Sequence, residues 1–243
     1  MIPRLSILLP VIDETFSLEK TVELIIKENK IYVYEIIIII SREKTHKNSK
    51  IVIDKLKEKY SHLIKVFYQD IKFLGGAIRK GFEKSQGTHV LMMASDLETN
   101  PLDVKKMIAL CCNHSSSIIT ANRWFIKGGG FKNYNFLKLL LNFIFQNMLK
   151  LIYLTKLSDM TFGFRLFPIE IIRKIKWEEI RHPFLLETII KPLRLGTDVI
   201  EFPSKWEIRQ EGSSNNSFIN NFAYFGILIK VRFMKKENIL KNE

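Results

Sequence analysis

The chain has 243 residues, of which 47% are hydrophobic, so it can form one large domain, or one domain and a C-terminal extension, around a substantial core. Its formal net charge of +13 comes without a DNA- or RNA-binding motif, which argues against a nucleic-acid partner. The charge then indicates either a basic face for anionic lipid or phosphorylated substrates, or a general lysine-rich bias of the composition. The adjacent Cys111 and Cys112 argue against a disulfide framework and a structural zinc site, and MIPRLSILLPVIDET lacks a cleavable signal pattern, so a cytoplasmic location is expected.

The first hundred residues alternate between strand-like and helix-like segments. Apolar or β-branched runs predict the strands, and periodic apolar positions after a capping residue predict the helices. In chain order these are a strand at Leu5–Leu9, a helix from Thr15 or Ser17, a strand at Tyr34–Ile40, a helix from Asn48 or Ser49, a strand at Ile64–Tyr68, a helix at Gly75 and a strand at His89–Met93. The alternation predicts an α/β fold with a doubly wound, mostly parallel sheet and helices on both faces.

Two acidic residues, Asp96 and Glu98, follow the fourth predicted strand. Ligands of open α/β sheets bind at the carboxyl ends of the strands, and a carboxylate pair there suits Mg²⁺ or Mn²⁺ holding a diphosphate. The alternative is that both acids cap a helix beginning near Pro101. No glycine loop follows the first strand, which argues against a dinucleotide-binding or Walker A phosphate site.

Four segments, in order over residues 5 to 215, together carry a resemblance. They are PVIDE (10–14), LGGAIRKGFEKSQGTHVLMMASDLETNP (74–101), DMTFGFRLFP (159–168) and IEFPSKWEIRQEGSS (200–214). The chain resembles family 2 glycosyltransferases with the GT-A fold, and its third segment is similar to their dolichyl-phosphate-mannose-synthase-like branch. We expect a glycosyltransferase domain over 1–215, with a nucleotide-binding half (1–105) and an acceptor half (106–215), then a basic amphipathic extension over 216–243.

The resemblance implies inverting transfer of a sugar from a nucleotide-diphosphate donor to a lipid-linked or saccharide acceptor, in cell-envelope or surface-polysaccharide synthesis. Asp96 matches the second acid of the family's metal motif, and with Glu98 it is expected to hold the divalent metal. Glu187 is the candidate general base for a hydroxyl acceptor, or else it is paired with an arginine. The predicted donor-binding residues are Pro10, Asp13, Glu14, Ser41, Arg123 and Arg209.

The sequence departs from the family pattern at two places. Ala94 stands where the family has the first metal-binding acid, and Ile40-Ser41-Arg42-Glu43 replaces the D-D-G-S after the second strand. Asp96 and Glu98 can hold a metal together with phosphate oxygens and water, or Arg42 or Lys44 can neutralise the phosphates instead. A non-catalytic sugar-nucleotide-binding homologue or partner subunit is therefore the alternative function.

Three further positions leave alternatives open. Asp159 has either a structural or a catalytic role, and His182 is either a base or a residue at a helix start. Gly128–Gly130 forms either a flexible turn or a loop that covers the substrate.

Two segments combine apolar and basic residues. Asn135–Leu154 has polar residues every three or four positions beside a broad apolar face, which argues against a helix that spans a membrane. The pattern favours either a helix buried in the protein or in an oligomer, or a helix that lies in a membrane interface. Phe222–Lys241 has a similar composition. With the net charge, these segments predict peripheral contact with an anionic membrane at the inner face of the cell membrane; a basic membrane-surface or nucleic-acid scaffold is a third function.

Overall fold

The computed structural model of the chain describes residues 2–126, 135–211 and 223–241. The strands are β1 (Leu5–Val11), β2 (Val33–Ile40), β3 (Ile64–Tyr68), β4 (His89–Met92), β5 (Ile118–Asn122), β6 (Arg165–Pro168) and β7 (Val199–Pro203). The α-helices are α1 (Phe16–Asn29), α2 (Lys47–Lys59), α3 (Phe73–Lys84), α4 (Val104–Asn113), α5 (Phe136–Tyr153), α6 (Ile169–Lys174), α7 (Phe184–Arg194), α8 (Ala223–Phe233) and α9 (Lys236–Ile239).

The strands form one seven-stranded sheet in the order β3-β2-β1-β4-β6-β5-β7. β1 pairs in parallel with both β2 and β4, and β2 pairs in parallel with β3. β6 is antiparallel to β4 and β5, whereas β7 is parallel to β5. The predicted mostly parallel α/β sheet is confirmed, and its first four strands lie where the sequence placed them.

The core has two layers, one on each face of the sheet, because the strands alternate apolar side chains between the faces. Ile7 and Leu9 of β1 point to the layer that α1, α2 and α4 cover. Leu8 points to the opposite layer, where α3, α6, α7 and α8 contribute most of the apolar contacts. The predicted helices on both faces are therefore confirmed.

Helix α8, near the C-terminus, packs on the core layer that also contains α3, α6 and α7. Tyr224, Ile227, Leu228 and Val231 are buried there, beside residues of α7. The predicted extension over 216–243 is thus helical where the structure describes it, and residues 216–222, 242 and 243 lie outside the described part. The division into halves at residue 105 stays a prediction.

The glycines that begin α3 bring its backbone close to neighbouring chain segments. The amide of Gly75 donates to the carbonyl oxygen of Ile180 at 2.8 Å, and a Cβ on Gly76 would lie 2.0 Å from the carbonyl oxygen of Ile71. No side chain fits at Gly76 unless α3 moves. By contrast, a Cβ on Gly226 of α8 would meet nothing within 4 Å.

Replacing Gly76 with alanine is expected to lower the free energy of unfolding by about 1–3 kcal/mol, because the added methyl group overpacks a backbone contact. Gly226→Ala is the matched control, and we expect it to raise the unfolding free energy by up to about 1 kcal/mol through helix propensity. Urea denaturation measures both. Equal effects of the two substitutions would contradict the close approach at Gly76.

Candidate active site

The candidate site lies at the carboxyl ends of β1 and β4, where the chain order of the sheet switches. β1 leads to β2 on one side and has β4 on the other, which is the arrangement that opens a ligand crevice. The hydroxyl of Ser95, just after β4, donates to the carbonyl oxygen of Pro10 at 2.9 Å. This hydrogen bond holds the exits of the two strands side by side.

The two acidic residues after β4, Asp96 and Glu98, are called the acidic pair below. Leu97 between them has a φ of +63°, in the left-handed region that non-glycine residues rarely adopt. This turn lets Oδ1 of Asp96 accept the Glu98 amide at 3.0 Å. A strained residue between two acids at a ligand-binding edge is typical of a functional site.

The acidic pair does not cap the next helix. The short 3₁₀ turn at Pro101–Asp103 is capped by Asn100, whose side-chain oxygen accepts the amide of Leu102. The alternative interpretation of Asp96 and Glu98 as helix caps is therefore wrong, and their carboxylates face another partner.

That partner is Arg209, which bridges the acidic pair. Its Nη2 lies 3.2 Å from Oδ2 of Asp96, and its Nε donates to Oε1 of Glu98 at 2.9 Å. Asp96 is 4% exposed, so the contact with Arg209 is largely screened from water. The structure thus brings together three of the residues that the sequence predicted, although residue 209 is 111 positions from Glu98.

Arg209 belongs to residues 204–211, called the strap below, which cross the edge of the sheet after β7. The amide of Glu207 donates to the carbonyl oxygen of Glu98 at 3.2 Å, and the amide of Gln210 donates to that of Asp96 at 3.4 Å. The strap therefore runs alongside the acidic pair and is attached to it by backbone as well as by Arg209.

Glu211 attaches the end of the strap to the start of α1. Its carboxylate accepts the amide of Thr15 at 2.8 Å, the amide of Ser17 at 3.1 Å and the hydroxyl of Ser17 at 2.8 Å, and it also accepts the Thr15 hydroxyl. These bonds lower the pKa of Glu211 against the opposing effect of burial. Thr15 does precede α1, as the sequence predicted, but its hydroxyl binds Glu211 rather than capping the helix.

The loop after β1 supplies a third carboxylate beside the acidic pair. Oε2 of Glu14 accepts the amides of Ile12 and Asp13 at 2.7 and 3.2 Å. Burial is the main cause of the raised pKa of Asp96, and the charge of Glu14 adds to the rise. The two carboxyl groups therefore interact electrostatically. Glu14 therefore joins the site, with Asp13 next to it.

Ser41 lies at the end of β2, where the sequence predicted nucleotide contacts. Its amide donates to Oγ1 of Thr45 at 2.8 Å, and its hydroxyl accepts the amide of Lys44 at 3.2 Å. Thr45 in turn donates to the carbonyl oxygen of Val11 in β1 at 2.9 Å. These bonds fix the loop after β2 against the loop after β1.

Burial shifts the protonation of three groups around the strap. It raises the pKa of Asp96 to about 6, with the Glu98 charge adding to the rise and Arg209 opposing it. Burial also raises the pKa of Glu14. The pKa of His182 is lowered, first by burial and then by the positive charge of Arg209, so this imidazole is neutral at pH 7.

Arg123, predicted to meet phosphate, is held by Asp159. Its Nε and Nη2 each donate to one Asp159 oxygen at 2.7 Å, and its guanidinium stacks on the ring of Phe162. Glu201 accepts the Asp159 amide at 2.9 Å and so positions the whole pair. Asp159 thus has a structural role in the described structure; Arg123 lies at the end of β5, one position before Trp124.

Arg165, the arginine of the DMTFGFRLFP segment, is fully buried in the core. It donates to the hydroxyl of Thr188 at 2.6 Å and to the carbonyl oxygen of Met160 at 2.6 Å. Burial lowers its pKa to about 9. This arginine fixes the segment that carries Asp159 onto α7.

Glu187, the candidate general base, is buried within α7. Its Oε1 lies 2.6 Å from Nζ of Lys191, and its two oxygens accept the amides of Glu178 and Glu179 at 3.0 Å each. Both charged side chains of the pair are 0% exposed. These contacts favour the paired role, with a lysine rather than an arginine, over the role of a base.

The acidic pair suits a divalent metal in ligand type and supplies two carboxylates. Among residues 2–126, 135–211 and 223–241, no group of three or more potential metal-binding side chains occurs. Two carboxylates are enough for Mg²⁺ when substrate phosphates and water supply the other ligands. The guanidinium of Arg209 contacts both carboxylates, so a metal bound between them requires this side chain to move.

Sequence reasoning missed some contributors and reached others only in part. Glu201 and Glu211 lie in the fourth motif segment, but the sequence assigned no role to either, and their roles follow from contacts across the fold. His182 was weighed as a base or as a residue at a helix start; it lies just before α7, and burial and then the charge of Arg209 lower its pKa. Gly128–Gly130 and residues 212–214 of the fourth segment lie outside the described residues.

The amino-acid sequence is similar to a family of known proteins and to individual relatives. The family described as glycosyl transferase family 2 matches residues 6–176, more than half of the chain. A dolichol-phosphate mannosyltransferase of Pyrococcus furiosus is 25% identical over 226 residues, which are 91% of this chain and 61% of that protein. The chain therefore spans less than two thirds of the length of that curated relative.

Solved structures share the fold at low sequence identity. Glucosyl-3-phosphoglycerate synthase from Mycobacterium tuberculosis, in complex with Mn²⁺, UDP and phosphoglyceric acid, has a TM-score of 0.72 and 13% identity, covering 96% of this chain and 80% of that one. Its complex with Mn²⁺, UDP-glucose and glycerol 3-phosphate has a TM-score of 0.64 and 14% identity, covering 94% and 78%. At these identities the likeness shows the fold alone.

Proposed function

We propose that this chain, which belongs to glycosyl transferase family 2, transfers a sugar from a nucleotide-diphosphate donor to an acceptor, with inversion at the anomeric carbon. One observation carries the proposal: Arg209 bridges Asp96 and Glu98 at the carboxyl edge between β1 and β4. The pair supplies oxygen ligands for a cation, and the arginine supplies a planar donor for phosphate. Both are what a diphosphate leaving group requires.

In this proposal the donor lies along the edge formed by the ends of β1, β2 and β4. Pro10, Asp13, Glu14 and Ser41 face the nucleoside, and the acidic pair faces the diphosphate. A bound Mg²⁺ or Mn²⁺ would act as a Lewis acid on the departing diphosphate. Arg209, released from the acidic pair, donates hydrogen bonds to the same phosphates and stabilises the charge that develops on them. Arg123 is proposed as a second phosphate contact from the end of β5.

The acceptor attacks the anomeric carbon from the side opposite the leaving diphosphate. A hydroxyl acceptor needs a base, for which Glu187 was predicted, whereas a phosphate acceptor is already nucleophilic and needs none. The buried pairing of Glu187 with Lys191 supports the second kind. The Pyrococcus furiosus relative is named for a dolichol-phosphate acceptor, which is a lipid phosphate.

The proposed setting is cytoplasmic, with peripheral contact at the inner face of the membrane and a role in cell-envelope or surface-polysaccharide synthesis. Lipid-linked acceptors of such pathways lie in the membrane, so an enzyme that uses them must reach its surface. The basic net charge supports this location.

The second candidate is a homologue that binds sugar nucleotides without catalysing transfer, or a partner subunit. Ala94 in place of the first metal-binding acid favours it, and so does the pairing of both acids with Arg209. The binding residues are the same in both functions, so only product formation separates them.

Donor binding is tested by thermal shift with UDP- and GDP-sugars, each with and without Mg²⁺ or Mn²⁺. We expect one nucleotide class to raise the melting temperature in a metal-dependent way. Arg209→Gln is expected to weaken this binding about 10- to 100-fold, since charged hydrogen bonds contribute about 1.5–3 kcal/mol. Lys57→Gln, which removes the same charge from an exposed position of α2, is the control and should bind normally.

Stabilisation by none of the nucleotide sugars would contradict both candidate functions. Binding without release of nucleoside diphosphate, in the presence of polyprenyl phosphate or saccharide acceptors, would favour the non-catalytic homologue. Release of nucleoside diphosphate together with a glycosylated acceptor supports the transferase.

A further inference from the structure

Helix α5 packs some apolar residues on the core and exposes many others. Leu137 is 60% exposed, Ile144 is 55% and Leu151 is 73%, and they belong to a larger exposed set on this helix. That set is Phe136, Leu137, Leu140, Leu141, Phe143, Ile144 and Leu151, followed by Leu154 at the C-cap. Among the described helices, α5 alone has the length and apolar composition of a membrane span, and 11% of it is buried.

Two amide side chains of α5, those of Asn142 and Gln146, face the protein. Gln146 is buried, where its Nε2 donates to the hydroxyl of Thr161 at 2.8 Å and its Oε1 accepts the amide of Met160 at 2.9 Å. Asn142, one turn earlier, accepts a second bond from the same side-chain amide. α5 therefore packs one side on the protein and leaves a largely apolar side exposed, which calls for an apolar environment.

Helix α8 extends this surface. The rings of Phe145 and Phe225 lie 5.2 Å apart, and the hydroxyl of Tyr153 donates to the carbonyl oxygen of Leu228 at 2.9 Å. Phe225, Ile229 and Phe233 recur every four residues along α8 and are 42%, 56% and 81% exposed. The exposed faces of α5 and α8 are called the α5–α8 surface below.

The charges that the two segments of the α5–α8 surface themselves carry have one sign, although Lys230 also pairs with Glu178 of a neighbouring segment. Residues 135–158 contain Lys138, Lys150 and Lys156 and no acid, and residues 223–236 contain four basic residues and no acid. The four are Lys230, Arg232, Lys235 and Lys236. An apolar face with a basic border complements an anionic lipid bilayer, whose headgroups attract the lysines while the acyl boundary accepts the apolar side chains.

We propose that the α5–α8 surface docks on an anionic lipid bilayer, with both helices lying in the headgroup region rather than crossing it. α5 is 18 residues long, or about 27 Å of helix, which is near the lower limit for crossing a hydrocarbon core of about 30 Å; its charged residues and its contacts with the protein argue against crossing. It carries Lys138 and Lys150 along its length, and its inner face is bonded to the protein. The docked bilayer lies beside the end of β5, because the ring of Phe143 is 5.7 Å from that of Trp124.

The proposal deepens the proposed peripheral location and does not depend on sugar transfer. It is tested on the full chain by flotation with vesicles of phosphatidylglycerol and phosphatidylcholine, and with vesicles of phosphatidylcholine alone, at low and high salt, without nucleotide sugar. We expect retention on the anionic vesicles, weaker retention at high salt and little on the neutral vesicles. Donor binding is measured separately without lipid, so failure of one proposal is distinguishable from failure of the other.

The variant Ile144→Glu/Leu151→Glu places two acids on the α5–α8 surface and is expected to weaken vesicle binding about tenfold or more. Ile31→Glu/Ile51→Glu is the matched control, with the same charge change at residues that are 79% and 47% exposed elsewhere. It should bind nearly as the parent chain does. Ile229→Ser/Phe233→Ser tests α8 independently in case the first variant does not fold.

Three results would overturn the proposal. The first is no retention on anionic vesicles, and the second is equal binding by the surface and control variants. The third is resistance of the vesicle-bound protein to alkaline carbonate, which would indicate a spanning helix. A concentration-dependent dimer that Ile144→Glu/Leu151→Glu dissociates, without vesicle binding by the parent, would assign the surface to a second copy instead.

Discussion

Replacing Glu187 with alanine is expected to lower the free energy of unfolding by about 3–5 kcal/mol, because it leaves the Lys191 ammonium buried without its closest carboxylate. Nζ of Lys191 lies 2.6 Å from Glu187 and 2.9 Å from Glu178, and its side chain is 0% exposed. The substitution also removes the acceptor of the Glu178 and Glu179 amides. Urea denaturation at neutral pH measures the loss.

The matched control is Glu170→Ala, which removes an acid from an exposed position of α6 and should change the free energy of unfolding by less than about 0.5 kcal/mol. Glu187→Gln keeps an acceptor for one amide and should cost less than the alanine variant. If Glu187→Gln abolished sugar transfer while donor binding and stability stayed normal, the paired role would be contradicted and the general-base role supported.

The sheet was predictable because its signals are local. The run of isoleucines before Ser41 suits a strand covered on both faces, and the structure buries all of Ile36–Ile40. The sequence placed a helix at Gly75, and the structure has Gly75 and Gly76 in the first turn of α3. Such features depend on residues near each other in sequence.

The partners of the charged residues were not predictable, because they depend on contacts across the fold. Arg123 and Arg209 look alike in sequence, yet Arg123 meets Asp159 and Arg209 meets the acidic pair. The contact between Glu211 and Thr15 joins residues 196 positions apart, and no spacing rule relates them. A motif identifies which residues are chemically capable, whereas tertiary packing decides which of them meet.

The orientation of α5 was open for a similar reason. The sequence showed polar residues every three or four positions beside a broad apolar face, but not which side meets the protein. Gln146 settles the orientation through its bonds to Met160 and Thr161, which lie in a segment that only the fold brings near. The alternative of a helix buried inside the protein is therefore wrong for the apolar face, which is exposed.

Replacing Asp96 with asparagine is expected to have opposite effects on stability and on donor binding. Burial and the charge of Glu98 raise the pKa of Asp96 from its ordinary 3.8 to about 6, so holding it ionised at neutral pH costs free energy. Asparagine can still accept the Glu98 amide without a buried charge. We expect the free energy of unfolding at pH 7 to rise by about 1–3 kcal/mol, while metal-dependent stabilisation by nucleotide sugars is lost.

The sign of the pH dependence follows from the raised pKa of Asp96. Between pH 3.8 and about 6 the folded chain binds more protons at this carboxyl than the unfolded chain, so this group lowers stability as the pH rises through that window. The parent should lose stability relative to the asparagine variant from pH 4 to pH 7, whereas Asp54→Asn, at an exposed position of α2, should show no such difference.

Metal-dependent donor binding has the opposite trend, because a cation needs the ionised carboxylate of Asp96. The donor affinity should fall about tenfold for each unit of pH below 6. Urea denaturation and thermal shift at matched pH values measure the two trends. A less stable asparagine variant that still bound donor with metal would contradict the assignment of Asp96 to the diphosphate. A more stable asparagine variant that has lost metal-dependent donor binding is the result expected of a site where an ionised carboxylate binds the ligand at a cost in folding stability.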